Sequence, residues 1–299
     1  MFHALCVGNC IAQQLTGNQN LKFIGQTSRG CFLQTTVPSV WTVFLSKETP
    51  RGPLTINLPS GFIIPIKQAA AQTIALRHSI LHFSNTVQLS LQNIPHWQAN
   101  APFNPIQPLA TRQATIAEAI RIIQQRKPEN YLASILPDLL PMLAMPSLPF
   151  STGGRFTDKL HRLIAGLHSS DSSSLASLLA TFLGQGSGLT PTGDDFLLGF
   201  FLTLHRWRAH LSLADSVRPL GRTIAELAKH QTTYLSSNLI ECAIFGEADQ
   251  RLINALDGLM TAEKCDLAWL DGLLTWGSSS GLDAFAGMIL ANDCRIARV

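Results

Sequence analysis

The rhythm of apolar and polar positions changes along this chain. Up to residue 94 the apolar residues come in short runs at 32–35, 41–44, 54–57, 62–64 and 87–91. Their length and their β-branched and aromatic content suit half-buried strands. Turn-forming clusters at 28–30, 50–53 and 59–61 separate several of them. The pattern predicts a small barrel or sandwich, with a short helix over 67–76. Further on the period lengthens. Ile116, Ala119, Ile120 and Ile123 fall on one face of a helix over 115–126. Residues 132–145 carry helical spacing interrupted by Pro137 and Pro141. From 155 onward only helices are expected, over 156–167, 216–230, 235–245, 249–260 and 265–275. Another runs from Asp171, a good cap, to 183, where Gly184 ends it. The expected fold class is therefore α+β: a β-rich domain over 1–94, a Pro-rich connector with helices over 95–150, and an all-α domain over 151–299. Glycine and proline agree with this division. Most of the sixteen prolines lie between 95 and 149, and no glycine occurs between Gly61 and Gly153.

Composition narrows the classes. Hydrophobic residues make up 46% of the chain and charged residues 14%, against roughly 25% charged in a typical soluble domain. A surface this poor in charge points to an oligomer or a complex. Net charge is +3, with no basic stripe suited to a phosphodiester backbone, so nucleic acid is not an expected partner. The longest apolar run, 196–204, is far short of the ~20 residues a membrane span needs. The first residues lack the basic start and long apolar stretch of a secretory signal, and the expected location is the cytoplasm. Six scattered cysteines fit buried free thiols better than a disulfide framework. Cys6 and Cys10 lack the spacing and partner pair of a zinc knuckle.

The densest chemistry lies in Gly184-Gln185-Gly186-Ser187-Gly188-Leu189-Thr190-Pro191-Thr192-Gly193-Asp194-Asp195. Alternating glycines permit positive φ and close approach of backbone N–H groups to a ligand. Thr190 reads as an N-cap and Pro191 as the first helical residue. The following helix is apolar all round, hence buried, and its N-terminus is a natural anion site. A Walker loop would need a lysine after the last glycine, and a dinucleotide fingerprint would need a preceding strand; neither is present. Asp194 and Asp195 oppose a simple phosphate site. A carboxylate ~4 Å from a phosphate charge costs about 4 kcal/mol at an effective dielectric near 20. Three resolutions stand side by side. The aspartates face away and serve the helix dipole, as in a plain helix–loop–helix junction. They hold a Mg²⁺ that bridges to the anion. Or one acts as a base.

A second junction repeats part of the first: Trp276-Gly277-Ser278-Ser279-Ser280-Gly281-Leu282-Asp283-Ala284-Phe285-Ala286-Gly287. Both contain Ser-Gly-Leu and then an aspartate followed four residues later by glycine, Asp195 to Gly199 and Asp283 to Gly287. Two such helix starts, packed side by side, would face one cavity. Ser280, Gly281 and Asp283 join the candidate site on that basis.

At these residues the chain resembles the AllH-like family, one subunit type of the oxamate carbamoyltransferase of allantoin catabolism. The signature is Gly186-x-Gly188-Leu189-Thr190-Pro191-Thr192-Gly193-Asp194-Asp195-Phe196-Leu197-x-Gly199, supported by Thr232-Thr233 with Ser236 and by Ser280-Gly281-x-Asp283. One departure is Ser278, where many members carry histidine. The resemblance implies carbamoyl transfer between oxamate and phosphate, in a complex with FdrA-like subunits. Donors at helix starts suit both anions and the charge that develops on the carbonyl oxygen. On this reading Gly186, Ser187, Gly188, Thr190, Thr192 and Gly193 bind the anion, Asp194 and Asp195 take base or Mg²⁺ roles, and Ser280, Gly281 and Asp283 complete the cavity. Thr232, Thr233, Ser236 and Arg155 are further candidates. Mg²⁺ is the one cofactor candidate. Two other readings stay open: a non-catalytic partner subunit that binds an anionic metabolite, and a metal-dependent hydrolase or phosphotransferase using Asp194 and Asp195. His78 and His82, spaced by four, lack a third metal ligand. His161, His168, His205 and His210 read as surface residues of helices, and Trp276 as core.

Overall fold

A single curled sheet of ten strands occupies the first hundred residues of the computed structural model, which describes residues 1–36, 39–64, 73–127, 129–151, 153–168, 172–211, 217–262 and 266–292. The strands are β1 (Phe2–His3), β2 (Cys6–Gly8), β3 (Gln19–Thr27), β4 (Gly30–Thr35), β5 (Thr42–Ser46), β6 (Thr55–Asn57), β7 (Thr73–Arg77), β8 (Ile80–His82), β9 (Gln88–Ser90) and β10 (His96–Trp97). Their order is β1-β9-β8-β7-β3-β4-β5-β6-β2-β10. β1 and β2, neighbours in sequence, lie near opposite ends of the sheet. The link between them ties both sides together: Ala4 N–H donates to Ser90 O (3.0 Å) and Leu5 N–H to Asn57 O (2.9 Å). The sheet is thus an open half-barrel, not a closed barrel or a sandwich. Its concave side is lined by Leu21, Leu33, Val43, Leu45, Ile56, Ile74, Leu76, Leu81 and Leu89, all fully buried.

Several expectations shift here. Residues 62–64 form no strand; Phe62 packs edge-on against Phe2 (5.1 Å) and Phe83 (5.7 Å) instead. Residues 73–76 of the expected helix are strand β7, and 67–72 lie outside the described residues. His78 is not on a strand face with His82. It forms with Ser79 the two-residue turn between β7 and β8, both at positive φ (50° and 61°).

The chain divides into two compact units, Met1–Asn100 and Ala101–Val299. The second is helical among its described residues: α2 (Leu109–Arg126), α3 (Tyr131–Ala144), α4 (Arg155–His168), α5 (Ser172–Ala180), α6 (Thr192–Arg206), α7 (Arg208–Leu211), α8 (Val217–Gln231), α9 (Tyr234–Ala243), α10 (Gln250–Thr261), α11 (Leu270–Thr275) and α12 (Ser280–Asn292). One short helix, α1 (Asn9–Gln14), belongs to the first unit and buries Ile11. Helix α3 runs through Pro137 and Pro141 without interruption. The two prolines are four apart, so both missing N–H groups fall on one side of the helix and the remaining ladder suffices. The expected cap Asp171 lies outside the described residues. The C-terminal end of α12 is held by the buried Arg112 of α2, whose guanidinium donates to Asn292 O (3.3 Å) and to the Asn292 side chain. A cation at that end suits the helix dipole.

Candidate functional site

Helices α6 and α12 are the most buried of the second unit, α6 from Gly193 to Leu204 and α12 from Gly281 to Asn292. They meet at glycines. A Cβ on Gly199 would lie 1.9 Å from Ala284 O, and one on Gly287 would lie 2.0 Å from Phe196 O. The contact is reciprocal. In each helix the glycine follows the repeated aspartate by four residues, and the carbonyl it meets follows the partner aspartate by one. The sequence likeness of the two junctions is therefore a packing likeness, and the two helix starts come together. Thr190 Oγ1 and Ser280 Oγ lie 3.2 Å apart.

The loop needs its glycines. Gly184, Gly186 and Gly188 all adopt positive φ (68°, 116° and 93°). A Cβ on Gly186 would lie 2.7 Å from Thr192 N. The cap differs from expectation by one residue: Pro191 occupies it and Thr192 begins the helix. Gly193 N–H donates back to Gln185 O (2.8 Å), so a loop carbonyl serves where a capping hydroxyl would. Thr190 is thereby left to face Ser280. Among the described residues the N–H groups of Ser187, Gly188, Leu189, Thr190 and Thr192 have no acceptor, and 187–189 are exposed. Leu189 O anchors the loop by accepting from Thr233 Oγ1 (2.6 Å) and Ser236 Oγ (3.4 Å). Thr233 also caps α9, accepting from Ser236 N at 3.1 Å.

The three carboxyl groups are buried and differently engaged. Asp194 accepts from Gly184 N (2.8 Å) through one oxygen and from the Thr232 hydroxyl through the other. It fastens the loop to the chain before α9. Asp195 is 1% exposed, and its Oδ2 has no hydrogen-bond partner. Burial pushes its carboxyl well above the ordinary range; Ser280 and Thr190 oppose that, while the charges of Asp283 and Asp194 add to it. Burial likewise raises Asp283 to about 7, against the opposing hydroxyls of Ser279 and Thr192. Asp194 is raised by burial too, but its donors from Thr232, Gly184 and Ser236 hold it down. Asp195 thus favours its neutral form, and Asp283 is about half protonated near pH 7, which lessens the repulsion an anion would meet.

At the second helix start the N–H groups of Gly277, Ser278, Ser279 and Ser280 also lack acceptors among the described residues, while the next three are engaged. Gly281 N–H is taken by Trp276 O (3.0 Å), and Leu282 and Asp283 N–H by Ser279 O (2.8 and 3.1 Å). Gly281 is small because a Cβ there would lie 2.0 Å from Leu273 O. Arg155, at the exposed start of α4, makes no hydrogen bond or ion pair to the loop among the described residues. Its neighbour Phe156 does pack on Phe182 and Phe196, which flank the loop (5.4 and 5.9 Å). Sequence reasoning missed Gln185, whose carbonyl closes the loop, and Ser279, whose hydroxyl donates to Asp283 Oδ2 (3.3 Å). Ser279 stands four residues before Asp283, a helical spacing that signals the pair. Among the described residues no three His, Cys, Asp or Glu side chains group as metal ligands. Both oxygens of Asp194 are already engaged, so the aspartate pair is a poor fit to Mg²⁺.

Two glycine-crossed buried helices with carboxyls at their starts define the core of this unit. Residues 182–292 match the family model of oxamate carbamoyltransferase subunit AllH. Over that stretch, which holds the loop, Thr232, Thr233, Ser236 and both helix starts, the chain is AllH-like. No curated protein and no solved structure matches it. Among the described residues no helix is long and apolar enough to cross a membrane.

Proposed function

We propose that this chain is a cytoplasmic subunit of an oxamate carbamoyltransferase in allantoin catabolism, and that the loop 186–193 takes the anionic end of its substrate. The observation that carries the reading is the overlap of the AllH match with a glycine-rich loop whose consecutive N–H groups from 187 to 190 lack acceptors among the described residues. A carboxylate of oxamate, or the phosphate of carbamoyl phosphate, accepts from the N–H groups of Ser187, Gly188, Leu189, Thr190 and Thr192. The hydroxyls of Thr190 and Ser280 add donors from the two helix starts. Asp195, neutral, presents a proton to the carbonyl oxygen where negative charge develops. Asp283, raised to about 7, is matched to proton exchange near neutrality.

In the transfer the oxamate nitrogen forms a bond to the carbamoyl carbon. The bond from that carbon to the phosphate oxygen breaks, phosphate leaves, and one nitrogen-bound proton passes to the Asp283 carboxylate. The reverse direction uses the same groups. Asp194 holds the loop and does not touch substrate. FdrA-like subunits complete the enzyme.

The test is phosphate release from carbamoyl phosphate and oxamate, measured with and without partner subunits. Turnover that appears with the partners and falls at least about a hundredfold in Asp195→Asn is the expected result. Full activity in that variant contradicts the assignment.

A further inference from the structure

A second concave site lies at the other end of α6, about 20 Å of helix from the loop. His205, Arg208, Arg218, Arg222, Ile244 and Phe245 line a cavity of about 280 Å³. Arg218 and Arg222 are four apart on α8 and so share a face. Gly221, between them, brings α8 down onto α6: a Cβ there would lie 2.6 Å from His205 Nε2 and 3.0 Å from Ile244 Cγ2. That close approach brings the face of α8 carrying both arginines beside the cavity they line. The His205 Nε2 is buried without a hydrogen-bond partner. Burial, with Arg208 and Arg218 nearby, lowers this imidazole to about 4, so it is neutral at pH 7. Phe245 is 70% exposed and forms, with Ile244, an apolar wall.

A structural arginine close by looks different. The side chain of Arg206 is only 5% exposed and grips Asp257 with two hydrogen bonds, 2.8 and 2.6 Å. Among the described residues neither Arg218 nor Arg222 has an acid partner. Arg208 is engaged in an interaction of its own and contributes charge to the cavity. Positive charge gathered on a concave surface, around a neutral ring and beside apolar side chains, costs self-repulsion unless an anion completes it. Guanidinium pairs recognise carboxylate and phosphate through paired hydrogen bonds.

We propose that this cavity is an anion site separate from the loop, taking a small, doubly charged oxyanion, a phosphomonoester or a dicarboxylate, whose carbon part rests on Ile244 and Phe245. The site needs none of the loop residues and stands whether or not the carbamoyltransferase reading does.

The experiment is calorimetric titration of the full chain with glycerol 3-phosphate, succinate and acetate, with the His205 ring signals followed by NMR. One of the two dianions binds saturably and shifts His205, and acetate binds at least about tenfold more weakly. The dianion that binds identifies the class. The exposed pair Arg218→Met and Arg222→Met, combined, weakens that binding at least about tenfold with an unchanged melting curve, while the variant keeps whatever oxamate affinity the loop provides. Absence of saturable binding of either dianion up to about 10 mM, or binding that ignores the double variant or leaves His205 unmoved, overturns the proposal.

Discussion

Three buried carboxyl groups stand in the first turns of α6 and α12, and their surroundings set them different tasks. Asp194 satisfies the Gly184 N–H and the Thr232 hydroxyl. Removing it strands both, so Asp194→Ala should lower stability by about 2–4 kcal/mol in urea unfolding, and Thr232→Val by roughly 1–2 kcal/mol. Asp283 should show in the pH dependence. Its folded-state carboxyl titrates near 7, above the unfolded value near 4. The folded protein therefore binds this proton more tightly. The associated stability is fully present below pH 4 and is lost as pH rises through 7. Asp283→Asn should flatten the fall in unfolding free energy between pH 4 and pH 7, and a slope unchanged in the variant would assign it to another group. At this scale the sequence was informative about residue type and less so about work. The loop, both aspartates and Ser280 stand together, but nothing in the spacing separates the clamp Asp194 from Asp195, whose Oδ2 has no partner. That distinction comes from Thr232, far along the chain.

At the scale of elements, the crossing of α6 and α12 decides whether the site exists. Each contact glycine faces a carbonyl that a methyl group would overlap. Gly199→Ala or Gly287→Ala must push the helices apart, at a cost of about 3 kcal/mol or more. The double variant should cost less than the sum, because one separation relieves both overlaps; calorimetric melting of the three variants checks this. The helical elements were legible because the second unit repeats a strong 3.6-residue pattern, and the two glycines announced close packing. The strands were less so. β3 carries a single fully buried residue, Leu21, and a register shift between Phe23 and Gly25, so its alternation is too weak to read. β1, β2 and β10 are two or three residues long, below any periodic signal. Pro137 and Pro141 mislead for the opposite reason: tertiary packing of Leu132, Ile135, Leu136 and Leu139 outweighs the two absent hydrogen bonds.

For the whole molecule, the charge-poor composition and the AllH match favour a chain that works within an assembly. The purified chain should therefore show little carbamoyl transfer alone and gain it on adding partner subunits, with co-elution in size-exclusion chromatography. Turnover by the isolated chain at the rate of the mixture would contradict this. The central claim is more local: that the N–H groups between 187 and 192 receive a negatively charged substrate. Amide NMR of the ¹⁵N-labelled protein during titration with oxamate tests it directly. The account predicts that the amides of Ser187, Gly188, Leu189, Thr190 and Thr192 move together and saturably; if they stay still while oxamate binds elsewhere, the claim is contradicted.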